Sequence, residues 1–321
     1  MPFEGNAIQL AKEVIPKLSQ KLHKGQAGRI GVVGGSFLYS GAPYFCATSS
    51  LLMGADLCFV FCTKGASVPL KSYGADLIIA PLLKESKDFD YELDKNKLES
   101  VIQSDVSEIS QMLSKIHAII VGPGLGRDPI ILDYACRICK IARQNDVSIV
   151  VDADGCHLVT QKYDLIRGYE KVVITPNVPE YSRLCKAILS EDALDIGNLE
   201  GLKEQMLRLS KKLGHVNIVR KDRLDIITDG RSVLTCDEEG SLRRCGGQGD
   251  ILSGITATLF NWSVHASSTK KDGVKISTLY SACVLTRLTG RLAFEKYKRT
   301  MRAGNYFEYI NDAFTRLFEM D

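Results

Sequence analysis

Arg243-Arg244-Cys245-Gly246-Gly247-Gln248-Gly249-Asp250-Ile251-Leu252-Ser253-Gly254 joins a glycine-rich turn to a helix whose apolar residues fall at 251, 252, 255, 257, 259 and 260. That spacing predicts a helix over Ile251 to Phe260 with its N-terminus on the glycines. Such an end presents unpaired N–H groups and the positive pole of a dipole, so it attracts anions. Glycine at 246, 247 and 249 permits torsions and close approaches that a Cβ blocks. Asp250 brings a further negative charge to the same place. With a phosphoryl group beside it, this carboxylate takes a proton from a nucleophile rather than binding the phosphate. The alternative, weighted equally on the local pattern, is a helix N-cap, a position Asp favours.

Upstream of the turn, apolar runs of strand length alternate with helical patterns. Ile30 to Val33, Leu57 to Phe61, Ala75 to Ile79, His117 to Val121, Val147 to Val151 and Val172 to Thr175 read as strands. Ala42 to Gly54, Ile130 to Ala142 and Tyr181 to Ile188 read as helices, and Lys84 to Asp105 as a polar surface excursion. Continuous Val/Ile runs suit strands buried on both faces, which predicts an α/β fold with a mostly parallel sheet covered by helices on both sides. From Val216 to Thr235, three short runs (Val216 to Val219, Asp225 to Thr228, Ser232 to Leu234) separated by turns predict antiparallel hairpins closing one side. Two long helices, Ile276 to Tyr297 and Tyr306 to Phe318, end a chain that reads as one domain, 1–321, with an N-terminal helical extension over 1–23.

The composition excludes several classes. A chain of 321 residues, 45% hydrophobic and 25% charged, is an ordinary globular protein. Its 41 basic and 38 acidic residues are interspersed, so the net charge of +3 points to no nucleic-acid partner. Nothing in it is apolar enough to span a membrane, and the mixed charges of Met1 to Gln20 fit neither a secretory nor a transit signal, so a cytoplasmic protein is expected. Most of the ten cysteines lie in apolar runs, and the lone pair Cys136 and Cys139 sits inside a helical pattern, so core thiols are expected rather than disulfides or zinc.

In a doubly wound sheet, ligands bind beyond the carboxyl ends of the strands. Those ends carry Gly34-Gly35-Ser36, a weak phosphate signal, and Gly122-Pro123-Gly124-Leu125-Gly126-Arg127, a tight turn or a close approach to a ligand. They also bring Asp152, Asp154, Asn177 and Glu180 towards one rim, a set that suits a hydrated Mg2+ bridging to phosphates.

Gly246-Gly247-Gln248-Gly249-Asp250 at a helix start, with Asn177-x-x-Glu180 upstream, resembles the ribokinase-like superfamily. Six spaced motifs narrow the resemblance. Lys24-Gly25-Gln26-Ala27-Gly28, Tyr39-Ser40-Gly41-Ala42-Pro43, Gly122 to Arg127, Asp152-Ala153-Asp154-Gly155, Thr175-Pro176-Asn177-Val178-Pro179-Glu180 and Cys245 to Asp250 together are similar to the ATP-dependent NAD(P)H-hydrate dehydratases. The resemblance implies that hydrated NADH or NADPH (NADHX, NADPHX) is bound by Ala42, Gly124, Asn177, Val178, Pro179, Glu180, Tyr181, Ser182, Arg183 and Asp250. It implies ATP on Lys221, Asp222, Arg223, Leu224 and Asp225 and on Gly240, Ser241, Leu242, Arg243, Arg244, Cys245, Gly246, Gly247, Gln248 and Gly249. It further implies Mg2+, reached by Glu180 through water, a separate NAD(P)HX epimerase working alongside, and catalysis by Asp250; a homo-oligomer is compatible with it. One position departs: the family pattern resembles Lys-Gly-x-x-Asp, whereas this chain has Asp222 in place of the glycine. The runner-up is a kinase of the same fold, of hydroxymethylpyrimidine or thiazole kinase type, releasing a stable phosphorylated product; a non-catalytic nucleotide sensor is the third possibility.

Overall fold

The structure, a computed structural model, describes residues 4–89, 95–266 and 273–320. Its elements run α1 (Glu4–Lys12), β1 (Arg29–Val33), α2 (Gly41–Leu52), β2 (Leu57–Thr63), α3 (Lys64–Tyr73), β3 (Leu77–Leu83), α4 (Lys95–Leu113), β4 (Ala118–Val121) and α5 (Pro129–Gln144). They continue with β5 (Ser148–Val151), α6 (Asp154–Gln161), β6 (Val172–Ile174), α7 (Val178–Leu184), α8 (Leu199–Lys212), β7 (Asn217–Arg220), β8 (Asp225–Thr228), β9 (Val233–Cys236), α9 (Gln248–His265), α10 (Val274–Tyr297) and α11 (Ile310–Phe314).

The nine strands form one sheet in the order β3-β2-β1-β4-β5-β6-β7-β8-β9, parallel from β3 to β7 and antiparallel from β7 to β9. Alternate strand residues feed two cores. Val32, Val60, Ile120, Val150 and Val219 pack with α2, α9 and α10 on one face, and Val33, Phe61, Ile119, Val151 and Ile218 pack with α4, α5 and α8 on the other. This is the predicted sheet covered on both sides, with hairpins at one edge. The N-terminal helix joins the first core through Ala7 and Ala11 and packs on α10; residues 1–3 of the expected extension lie outside the described residues.

Several boundaries move. The expected surface excursion over Lys84 to Asp105 contains the start of α4, and residues 90–94 of it are outside the described set. The stripe Leu98, Ile102, Val106, Ile109 and Leu113 repeats every three or four residues and buries one helix face. The last long helix divides, leaving only Ile310–Phe314 as α-helix after a tight turn over Ala303–Glu308. Helix α7 starts at Val178, three residues earlier than the apolar pattern suggests, because Asn177 and Glu180 close a capping box there: the Glu180 amide donates to Asn177 Oδ1 at 2.9 Å and the Asn177 amide to Glu180 Oε2 at 2.9 Å. All ten cysteines are free thiols, and all but Cys245 are buried.

The strand order reverses between β1 and β4, and there the two following loops meet. The Gly35 amide donates to the carbonyls of Pro123 at 3.2 Å and Gly124 at 3.1 Å. Gly122 has φ +123, and a Cβ on it would come within 1.9 Å of the Asp152 carbonyl oxygen. In the Gly34-Gly35-Ser36 turn, a Cβ on Gly34 would come within 2.0 Å of the Pro123 carbonyl oxygen and Gly35 has φ +93, so packing and torsion account for the two glycines.

Candidate active site

Helix α9 begins three residues before the apolar pattern does, so Gln248, Gly249 and Asp250 form its first turn. Gly247 is the N-cap, with φ +101 and no side-chain cap. A Cβ at Gly247 would lie 2.6 Å from the Ala303 Cβ and 2.8 Å from the Phe45 ring. Asp250 is thus the third helical residue and not the cap, which removes the alternative left open by the sequence. The turn is braced by its own Gln248, whose Nε2 donates to the Arg243 carbonyl at 2.9 Å and to the Tyr306 hydroxyl at 2.8 Å. Without a side-chain cap, the amides of Gln248 and Gly249 point out of the helix end.

Asp250 faces three charged groups delivered by other strand ends. Asp152, just past β5, is 2% exposed and pairs through Oδ1 with the Lys221 ammonium at the end of β7. Its Oδ2 accepts a hydrogen bond from Ser253 Oγ at 2.6 Å. Burial pushes the Asp250 carboxyl up to about 7, with the Asp152 charge adding to the shift and Lys221 opposing it. Glu180 is raised for the same first reason, burial, with Lys221 pulling the other way. Burial by itself lowers the Lys221 ammonium, but Asp152 and Glu180 outweigh it and hold its pKa above that of an ordinary lysine. Helix α2 closes the back of the site, where Cys46 Sγ donates to the Asp250 carbonyl at 3.1 Å.

A cleft of about 440 Å3 opens on the β7 to β9 side. Of the residues expected to hold a nucleotide, Lys221, Asp222, Arg223, Asp225, Gly240, Ser241, Arg244, Cys245, Gln248 and Gly249 line it. Leu224, Leu242, Arg243, Gly246 and Gly247 do not; Leu242 is 85% exposed, and the Arg243 guanidinium turns away to donate to the Met301 carbonyl at 2.6 Å. The lining also contains Asn177 and, unforeseen from the sequence, Leu252, Cys283, Thr286, Arg287 and Tyr306. Arg287 holds the loop over 221–225 from α10: Nε donates to Asp225 Oδ2 at 2.6 Å, and the terminal nitrogens donate to the carbonyls of Asp222 at 2.9 Å and Arg223 at 3.0 Å. Asp222 needs no left-handed torsion here, since it is absent from the positive-φ residues. Its carboxylate instead accepts from the fully buried Arg220 at 3.1 Å, whose guanidinium lies over the Tyr181 ring. The departure from the family glycine thus comes with a buried cation for it to neutralise.

Of the residues expected to hold the substrate, Ala42 sits in the first turn of α2, Gly124 in a loop packed on Tyr39 and Pro43, and the rest, Asp250 apart, on α7 and its cap. On α7, Val178, Pro179, Ser182 and Arg183 are exposed, whereas the Tyr181 side chain is fully buried and donates to Gln205 Oε1 at 3.2 Å. Asp154 leaves the expected rim set: its carboxylate accepts from the Gly126 amide at 3.0 Å and pairs with Arg127 at 3.2 Å. Among the described residues, no three His, Cys, Asp or Glu side chains converge as a metal cage. Nor does any described helix have the length and apolarity to cross a membrane.

A mostly parallel sheet covered by helices on both faces, with a switch point, a helix N-terminus carrying a carboxylate in its first turn and an adjoining cleft, has the architecture of the ribokinase-like fold. A solved ribokinase-like superfamily protein from Enterococcus faecalis superposes with a TM-score of 0.71 at 20% identity, covering 98% of this chain and 95% of that one. The Bacillus subtilis ADP/ATP-dependent NAD(P)H-hydrate dehydratase, co-crystallised with ATP/Mg2+, superposes with a TM-score of 0.67 at 16% identity over 97% of each chain. A family model described as NAD(P)H-hydrate dehydratase matches residues 30–312. The Rattus norvegicus ATP-dependent (S)-NAD(P)H-hydrate dehydratase is 41% identical over 315 residues, covering 98% of this chain and 86% of its own length. The chain belongs to the NAD(P)H-hydrate dehydratase family.

Proposed function

We propose that the protein uses ATP to dehydrate the S epimer of NADHX and NADPHX, returning NADH and NADPH, in the cytoplasm and alongside a separate epimerase. The observation that carries this reading is Asp250: a carboxylate held near neutrality, in the first turn of a helix whose outward amides adjoin a nucleotide-sized cleft. Hydroxide is a poor leaving group, and phosphorylation of the ring hydroxyl turns it into phosphate. Asp250 accepts the hydroxyl proton as the oxygen attacks the γ-phosphorus and the bond to the bridging oxygen of ADP breaks. The amides of Gln248 and Gly249 face the charge on the transferred group. The lone pair of the ring nitrogen then expels phosphate, and loss of a proton from the adjoining carbon restores the dihydropyridine. A base with a pKa near 7 suits this task, because about half of it is free to accept a proton at neutral pH and it is still basic enough to hold it.

We assign the cleft residues named above to ATP, and Ala42, Gly124, the exposed face of α7 and Asp250 to the hydrated cofactor. The carboxylate set does not fit an all-protein Mg2+ cage, but the single Glu180 carboxylate fits an ion that keeps its waters and is held mainly by phosphates. Such an ion supplies charge neutralisation at the phosphates. A kinase of the same fold shares the glycine turn, but not the family match over 30–312.

The test is incubation with NADHX, Mg2+ and either ATP or ADP while following the dihydronicotinamide absorbance. Return of the absorbance with ATP, with one phosphate released per NADH, is expected. A stable phosphorylated product, or no return with either nucleotide, overturns the reading.

A further inference from the structure

Five of the six motifs that carry the family resemblance sit at the carboxyl ends of strands or at the start of α9. Lys24-Gly25-Gln26-Ala27-Gly28 sits at the other end of the sheet, just before β1. The Asp56 carboxylate holds this loop, accepting from the Gly25 amide at 2.6 Å and the Ala27 amide at 3.0 Å, and the Ala27 carbonyl accepts from the Trp262 indole N–H. A Cβ on Gly25 would strike Arg29 Nε at 2.2 Å, so glycine there lets the guanidinium lie against the loop. Helix α9 carries Asp250 in its first turn and Asn261, Trp262 and His265 at its far end. At about 1.5 Å per residue, His265 lies about 22 Å from Asp250 along the helix.

Between the loop and that helix end is a cavity of about 570 Å3, a size that suits a small organic ligand. Ile15, Pro16 and Trp262 give it flat, apolar lining, and Arg29, His117 and His265 give it polar groups. Arg29 donates to the Lys115 carbonyl at 3.3 Å and, among the described residues, pairs with no carboxylate. The two imidazoles stand with ring centroids 5.7 Å apart. Burial holds both below the ordinary histidine value, with His265 and Arg29 adding to the effect at His117 and Lys171 at His265, so each is neutral at pH 7 with one N–H to donate. Asn261 also lines the cavity; it is 3% exposed, and its Oδ1 has no hydrogen-bond partner. Buried acceptors are ordinarily paired, and an occupant carrying an N–H group completes this one.

We propose that this cavity binds a mononucleotide, with its phosphate on Arg29 and the imidazole N–H groups, its base against Ile15, Pro16 and Trp262, and an exocyclic N–H of the base donating to Asn261. The amino group of adenine and the carboxamide of nicotinamide both present that N–H, so the recognised chemistry is a planar nitrogen heterocycle bearing NH2. Such binding uses none of the residues placed around Asp250 and stands whether or not the chain is a dehydratase.

Trp262 is the chain's single tryptophan, so its fluorescence reports on this cavity. With a non-hydrolysable ATP analogue and Mg2+ filling the cleft, AMP or nicotinamide mononucleotide is expected to change the emission saturably with a Kd below about 1 mM, and the tighter of the two identifies the base. Inosine monophosphate and nicotinic acid mononucleotide, which place oxygen where those two carry NH2, are expected to bind at least about fivefold more weakly than their counterparts. Arg29→Met and His265→Ala are each expected to weaken binding by about tenfold with an unchanged circular-dichroism spectrum. The proposal is overturned if neither nucleotide changes the emission saturably up to about 10 mM, if inorganic phosphate binds as tightly as either, or if both variants bind as the wild type does.

Discussion

The glycine turn over 246–250 and the loop over 221–225 border the same cleft, yet opposite means hold them in shape. Backbone stereochemistry sets the turn: Gly247 sits at φ +101 where a Cβ would strike Phe45 and Ala303, and the brace from Gln248 is local. Buried charge sets the loop: Arg287 arrives from α10 to hold Asp225 and two carbonyls, and Arg220 holds Asp222 from beneath. A glycine turn is damaged by added bulk, a charge-held loop by a lost partner. On the proposed assignment the turn carries the reacting carboxylate and the loop grips the co-substrate, so damage to the first is expected to fall on kcat and damage to the second on the nucleotide KM.

The sharpest break is Asp250→Asn. It is expected to lower kcat by at least about 10²-fold with nucleotide binding nearly intact, and a titration with a fluorescent ATP analogue checks the second half. In the wild type, kcat/KM should rise with pH through about 7 as Asp250 ionises. Stability should run the other way. The folded value is raised above the unfolded one, so the contribution of Asp250 is present in full below the unfolded value and lost as pH rises through about 7. Asp250→Asn should therefore raise Tm more at pH 8 than at pH 5, and an equal change at both would show that the carboxyl is not raised.

Gly247→Ala comes next. The clash with Phe45 and Ala303 is expected to shift the helix start and lower kcat/KM by about 10²-fold, as misplacement of a reacting group by about 1 Å does; a near-normal value would mean that the turn relaxes freely. Arg287→Ala is expected to raise the ATP KM by about tenfold and to lower Tm, because Asp225 is left buried without its partner. Its kcat at saturating ATP should change less than that of Gly247→Ala, and the reverse order would erase the contrast between turn and loop. The smallest effect belongs to Asp222→Gly, which installs the glycine that the resemblance implies at this position. It is expected to cost about 1 to 3 kcal/mol of stability by stripping Arg220 of its carboxylate, with the ATP KM within about threefold; denaturant melts and the steady-state KM measure the two.

The same contrast explains what was legible. The turn, the buried parallel strands and the hairpin edge show in the sequence because each is a local pattern: glycine spacing, Val/Ile runs and turn residues. Asp250 stands out for the same reason, and the sequence leaves open whether it caps the helix because polar Gln248 and Gly249 carry no apolar signal. The stripe from Leu98 to Leu113 was readable, but its polar surroundings hid it. Cys283, Thr286 and Arg287 carry no local mark, since residues some 60 positions from the loop join the cleft only when α10 packs against β8 and β9, and Tyr306 arrives from the turn over Ala303–Glu308 that follows α10.

By itself, then, the sequence determined the layered α/β sheet, the glycine turn at a helix start and the carboxylate beside it, all properties of contiguous residues and their backbone preferences. Only the tertiary structure decided how that carboxylate is charged and what faces it. Burial beneath α2, Asp152 from β5 and Lys221 from β7 set its proton affinity, and Asp154, one of the four rim residues expected from the strand ends, turned instead to Arg127. The reason is physical: a torsional preference acts within a few residues, whereas desolvation and charge act through space between segments that folding alone brings together.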